Sequence, residues 1–170
     1  QVAELAQSLR GATDAITATN VYEFVKNSIR YKEDPPGVQW VKTPNRLLAD
    51  GVGDCKSFSI LQMSLLYCLG VDAMFRFAAY HNNPNYTHVY PVAIVNGVQV
   101  PQDVTAFQLR KVQYGKECRY TKKIDYSMTG TKISVLAGVP DEPTTTNSFF
   151  TDGKKELNSY QFYLLSIIDL

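Results

Sequence analysis

Cysteine, histidine and tryptophan are scarce in this chain: it has three Cys, two His and one Trp in 170 residues. An odd number of cysteines excludes a complete disulfide framework and leaves room for one bridge at most. No two Cys or His residues stand at zinc-ligand spacing, so neither a metal nor another cofactor is expected. Long apolar runs are absent as well. Nothing is long enough for a transmembrane helix, and no signal-peptide pattern follows Gln1. Charge of one sign is also missing, because 17 Lys and Arg against 16 Asp and Glu leave +1. That balance points to neither a nucleic acid nor a membrane surface as a partner. What is present is ordinary for a globular protein, with 45% hydrophobic and 12% aromatic residues. The chain is long enough for one domain with a real core, and it shows no internal repeat or linker.

The most informative stretch is Gly51-Val52-Gly53-Asp54-Cys55-Lys56-Ser57-Phe58-Ser59, running on in apolar residues to Gly70. A glycine-rich turn leads into a helix, with Asp54 suited to the N-cap and Gly70 to a left-handed C-cap. Cys55 then becomes the first helical residue. Unpaired backbone N–H groups and the helix dipole favour negative charge on a thiol placed there. A small buried residue under a tight turn is the plain alternative, and on this stretch alone the two readings stand level.

Upstream, Val2 to Leu9 reads as a short helix ending at Gly11. Thr19 or Asn20 can cap a second helix, in which Val21, Phe24, Val25 and Ile29 recur at helical spacing. Pro35-Pro36-Gly37 breaks the chain after it, Gln39-Trp40-Val41 is short and extended, and Thr43-Pro44 opens a brief helix through Leu47 and Leu48. Downstream of Gly70 the period becomes two. Val71, Ala73, Phe75, Phe77 and Ala79 alternate with their neighbours as a strand. His88 to Val95 is extended, Asn96-Gly97 is a strong hairpin turn, and Val98 to Thr105 returns. Arg119 to Tyr126 and Thr131 to Ala137 could pair across Met128-Thr129-Gly130. Tyr160 to Ile168 closes the chain as a strand or a buried helix. The expectation is an α+β fold, with the cysteine helix packed on an antiparallel sheet and a β extension at the C-terminal end. A single domain spans 1–170, with its core at about 20–110 and the extension at about 111–170.

The hairpin carries a geometric consequence. If Val95 pairs with Val98, Tyr90 faces Asp103 and His88 faces Thr105. His88 and Asp103 are then diagonal neighbours on one face, with Cα atoms roughly 7–8 Å apart. Pro91 and Pro101 weaken the ladder and allow a shift of register. A carboxylate at that distance can hold an imidazole, fixing its tautomer and stabilising its charged form. An imidazole near a thiol at a helix N-terminus favours a thiolate–imidazolium pair, a nucleophile able to attack an amide carbonyl. The Cys55 N–H at the helix start could then serve the oxyanion. His81, in an Asn-rich loop, is the weaker candidate base. Cys68 reads as core, and Cys118 as a surface thiol or a partner for Cys68. The lysines from Lys111 to Lys123 read as a solvated face.

Gly-Asp-Cys on an apolar helix, His-Val-Tyr opening a strand and Gln102-Asp103-Val104-Thr105 after a hairpin resemble the transglutaminase-like superfamily, which shares the papain-type cysteine nucleophile arrangement. The run from Asp34-Pro35-Pro36-Gly37 to Cys55 is similar to the form of bacteriophage and prophage members, and the resemblance covers about Val21 to Thr105. It implies a papain-like core with Cys55 as nucleophile, His88 as general base and acid, and Asp103 as the orienting residue. It also implies Gln39 or Trp40 as an oxyanion helper, although Trp40 reads equally well as a packing residue. Lys56 departs from the acidic residue common after the cysteine, and Val100-Pro101 replaces a tryptophan common before the aspartate. The implied function is peptidase, amidase or transglutaminase-type acyl transfer through a thioester, on a peptide or protein amide. Hydrolysis is favoured over cross-linking. The implied location is soluble, in the cytoplasm or a phage virion. A non-catalytic assembly or binding module on the same scaffold, within a larger protein or a virion, is the alternative. A structural domain in which the three residues meet by coincidence is a third.

Overall fold

The computed structural model describes residues 2–80, 85–105, 120–127 and 132–133. The expectations for His81, Cys118, the lysines before Tyr120 and the stretch Tyr160 to Ile168 lie outside these residues.

Two helices lead in, α1 (Val2–Ser8) and α2 (Asp14–Ser28). The start of α2 differs from expectation. Thr13 is its N-cap, accepting the Ile16 N–H at 3.2 Å, while Thr19 and Asn20 lie inside the helix. The buried stripe of α2 begins with Thr17 and Ala18 before reaching Val21 and Val25. Small residues carry the first turns, so periodicity in large apolar residues finds only the second half. The chain then passes through β1 (Arg30–Tyr31), α3 (Pro44–Asp50) and β2 (Val52–Gly53) to α4 (Cys55–Leu69). Thr43 caps α3 with Pro44 behind it, and Gly51 ends it at φ 63°, a left-handed conformation that favours glycine. Strands β1 and β2 pair in parallel, Arg30 with Val52 and Tyr31 with Gly53.

Helix α4 is the centre of the molecule. Helices α1, α2 and α3 pack on it, as do β3 (Ala73–Tyr80) and β4 (His88–Val95). Enclosure on several sides explains why its sequence is apolar almost all round rather than along one stripe. The sheet runs β5-β4-β3-β6-β7 with every neighbouring pair antiparallel, where β5 is Val98–Pro101, β6 is Tyr120–Ser127 and β7 is Lys132–Ile133. Phe75, Phe77, Val89 and Ala93 join α4 in the main core, while Met74, Ala78, Tyr90 and Val92 form a second buried cluster. Both sets of alternating residues on β3 are therefore covered. The α+β architecture, with the cysteine helix on an antiparallel sheet, is the expected one.

The hairpin turns through Asn96 at φ 52° and Gly97 at φ 75°, the pair of positive angles that a type I′ turn needs. Its register is Val95 with Val98 out to Val92 with Pro101. There the structure departs from expectation, because the returning strand stops at Pro101 instead of Thr105. Proline has no N–H for the ladder. One further bond, from the Gln102 N–H to the Pro91 carbonyl at 2.9 Å, precedes a turn marked by the Val104 N–H on the Gln102 carbonyl at 3.1 Å. The pairings of Tyr90 with Asp103 and of His88 with Thr105 are not made. No described helix is long and apolar enough to cross a membrane.

Candidate active site

The sequence places Cys55 by capping at both ends of the turn before it. Asp54 accepts the Ser57 N–H at 3.2 Å as the N-cap of α4, leaving Cys55 as the first helical residue. Gly53 lies close against the neighbouring helix, since a Cβ there would fall 2.5 Å from Leu47 Cδ1 and would have to displace that buried side chain. The first turn is also tied to the sheet. The Ser59 hydroxyl lies 2.6 Å from the Cys55 carbonyl and 3.1 Å from the Val89 carbonyl, one residue beyond His88. Thiol and imidazole are thus fixed to each other through buried backbone.

His88 opens β4 and Asp103 follows β5 after the turn at Pro101. His88 Nε2 lies 2.7 Å from Asp103 Oδ2, and the ring also hydrogen-bonds Cys55. Gln62 of α4, fully buried, donates from Nε2 to the Gln102 carbonyl at 3.0 Å and so holds the backbone just before Asp103. Sequence reasoning reached the contact by the wrong route. It expected strand pairing, whereas a turn held from α4 delivers the carboxylate.

Burial works against charge on His88, but the Asp103 carboxylate and the Cys55 sulfur outweigh it and raise the imidazole from its ordinary 6.5 to about 10. A folded-state value above the unfolded one means that imidazolium stabilises the fold fully below about 6.5 and that this support fades as pH rises to about 10. The stability difference between wild type and His88→Ala is therefore expected to shrink steadily across that window, as followed by urea unfolding at successive pH values. A difference that is flat or grows would contradict the ion pair.

The thiol opens into a groove of about 460 Å³ lined by Tyr31, Asp34, Gln39, Cys55, Phe77 and His88, among others. Gln39 stands on this groove. Trp40 does not: it is 57% exposed and lines a neighbouring hollow with Lys42 and Arg46, so it is neither at the cleft nor packed in the core. Cys68 is a free thiol half-buried against the core. Residues that sequence reasoning passed over also meet here. Lys56, read only as a departure in type, is buried between Asp34 and Asp54. Burial pushes the Asp54 carboxyl up to about 7, although the Ser57 N–H favours its ionised form. Burial likewise lowers Lys56, against the pull of Asp34. The ammonium in direct contact with both carboxylates works the other way and favours the charged cluster. Burial also pushes the Tyr31 hydroxyl well above its usual range, with the Cys55 sulfur and nearby carboxylates adding to it. A lysine two residues beyond an aspartate was the one signal available for this cluster, and the second carboxylate comes from a distant loop.

Fold and site together define an α+β papain-like, transglutaminase-like chain, with Cys55 and His88 brought to one groove from a helix and a strand, and Asp103 held against His88 from a turn. Residues 1–125 match a family model described as a transglutaminase-like domain, and the chain belongs to that family. Among solved structures, calcium-bound LapG of Legionella pneumophila is similar at 18% identity and a TM-score of 0.59, covering 97% of this chain and 86% of its own. The EGTA-treated form of LapG gives 16% identity, a TM-score of 0.57 and coverage of 97% and 84%. A Parabacteroides distasonis protein, provisionally described as a protease, gives 13% identity and a TM-score of 0.50, covering 79% of this chain but only 27% of its own. At these identities the likeness is one of fold. No curated protein matches the sequence. Calcium belongs to LapG as described; among the described residues here, no group of three or more His, Cys, Asp or Glu is arranged to hold a metal.

Proposed function

We propose that this chain is a cysteine-nucleophile amide-processing enzyme acting on a peptide or protein amide. The observation that carries the reading is the chain of contacts from the Cys55 sulfur through His88 to Asp103 at the mouth of an open groove. The sulfur attacks the carbonyl carbon, forming a C–S bond and a tetrahedral oxyanion. The Cys55 N–H, directed out of the helix start, and the Gln39 side chain on the groove are the candidate donors to that oxyanion. Collapse breaks the C–N bond as His88 hands its proton to the leaving amine, giving a thioester. With His88 Nε2 engaged by Asp103, Nδ1 is left to serve the sulfur and the leaving group. Water, deprotonated by His88, then attacks the thioester and returns the thiol and a carboxylic acid. Hydrolysis rather than transfer to an amine and kinship with phage members rest on the resemblance of the residues alone, and the single-domain reading over 1–170 rests on chain length. An accessible groove at Cys55 speaks against a purely structural or assembly role.

The test is alkylation by iodoacetamide across pH, read by mass spectrometry of the labelled peptides. Cys55 is expected to react at least about tenfold faster than Cys68 near neutral pH, and Cys55→Ala to remove that fast phase. Equal rates at Cys55 and Cys68 would sink the proposal.

A further inference from the structure

The chemistry proposed above makes no use of the buried cation next to the nucleophile. The Lys56 side chain is 7% exposed, its Nζ is 2.9 Å from Asp34 Oδ2, and it also touches Asp54 Oδ2. The two carboxylates belong to different segments that line the groove. Asp54 caps the cysteine helix, whereas Asp34 lies in the segment from Glu33 to Gln39 that walls the groove. The same Asp34 oxygen accepts the Trp40 N–H at 2.8 Å, and between them the Val38 N–H closes a turn on the Pro35 carbonyl at 3.0 Å. The wall is thus a short arch of backbone. Both ends of the arch rest on Asp34, and Asp34 rests on Lys56. A lysine taken out of water is costly unless paired, so this placement is specific rather than incidental.

We propose that Lys56 is a positioning residue that seats the 33–40 arch through Asp34 and so fixes the wall an extended acyl substrate meets on its way to Cys55. The effect on substrate rests on the reading of Cys55 as nucleophile; the mechanical link does not. Because Lys56 acts on the wall, a small reagent that needs no wall should be indifferent to its loss. An extended reagent should not be.

The experiment pairs two readouts in Lys56→Met, Lys56→Arg, Asp34→Ala and the double variant Asp34→Ala/Lys56→Met. One is hydrogen exchange at the Trp40 amide. The other is the rate of Cys55 alkylation by iodoacetamide against that by an iodoacetyl-capped tetra-alanine peptide. Lys56→Met is expected to speed Trp40 exchange at least about tenfold. It is expected to slow the peptide reagent about fivefold relative to iodoacetamide, whose own rate stays within about twofold. Lys56→Arg, which keeps the cation, restores both values. The double variant behaves as Asp34→Ala does, because the lysine acts through that carboxylate. Unchanged Trp40 exchange in Lys56→Met overturns the proposal, and so does equal slowing of both reagents. If Lys56→Met does not fold, a double variant that reacts with the peptide reagent more slowly than Asp34→Ala overturns it as well. Cys55 reacting no faster than Cys68 in the wild type would remove the catalytic reading instead, leaving Trp40 exchange to decide the link.

Discussion

His88→Ala is expected to lower iodoacetamide labelling of Cys55 at neutral pH by about ten- to thirtyfold, and amide turnover by about 10² to 10⁴. The two losses differ because the two reactions use the ring differently. Alkylation needs only an anionic sulfur, and an ordinary cysteine is a few per cent thiolate near pH 7. Losing the imidazolium therefore costs alkylation only the electrostatic support that the ring gives the sulfur. Amide cleavage also needs a proton on the departing nitrogen, and nothing replaces His88 for that step. Asp103→Asn separates the roles further. The ring keeps a hydrogen-bonding neighbour but loses the charge that raises it to about 10, so the alkaline limb of the rate profile should move to lower pH. Measuring both reactions on the same variants decides the matter. Equal losses would make His88 a support for the sulfur rather than a proton carrier, and an alkaline limb that stays in place would remove Asp103 from the charge balance.

Phe58→Ala is expected to destabilise the fold by about 3–5 kcal/mol, measured by urea unfolding. Phe58 sits one helical turn beyond Cys55 and is 1% exposed in the main core. Its ring meets Tyr31 edge to face at a centroid distance of 6.1 Å, and Tyr31 lines the groove. Truncation leaves a cavity under the first turn of α4, where capping and Ser59 fix the backbone and limit collapse. Against a typical total stability of about 5–15 kcal/mol, that is a large share. Phe58→Leu should cost clearly less, because most of the volume is kept. A loss near 1 kcal/mol for Phe58→Ala would show that the turn relaxes freely, and would contradict the rigid seat inferred for Cys55.

The part of the site legible in the sequence is the part written in local signals. Asp54 and Gly70 mark the two ends of α4 by capping alone, and Asn96-Gly97 sets the register of its hairpin. Those two elements place Cys55 at a helix start and His88 on the strand beside it, but they do not by themselves deliver Asp103. The details that failed are non-local. Pro101 ends its strand, and the position of Asp103 depends on a hydrogen bond from Gln62, forty residues earlier in the chain. The first turns of α2 bury Thr17 and Ala18, which carry no strong periodic signal. Lys56 reads only as a departure from the residue type common after the cysteine. Its burial depends on Asp34, which reaches it from a loop without periodicity of its own.

The pairing of β1 with β2 has a consequence for how such a scaffold diversifies. The Arg30 N–H meets the Gly51 carbonyl at 2.9 Å, and the Lys32 N–H meets that of Gly53 at 2.8 Å. The chain therefore leaves and re-enters at one clasp, two residues before Cys55. Lengthening a closed excursion costs little, about 0.6 kcal/mol for each doubling of a flexible loop. New residues inserted between Pro36 and Val41 would lie outside the clasp and leave the thiol where it is. Changes in this stretch that spare Gln39 and the Trp40 amide would therefore reshape the groove wall while Cys55 keeps its place.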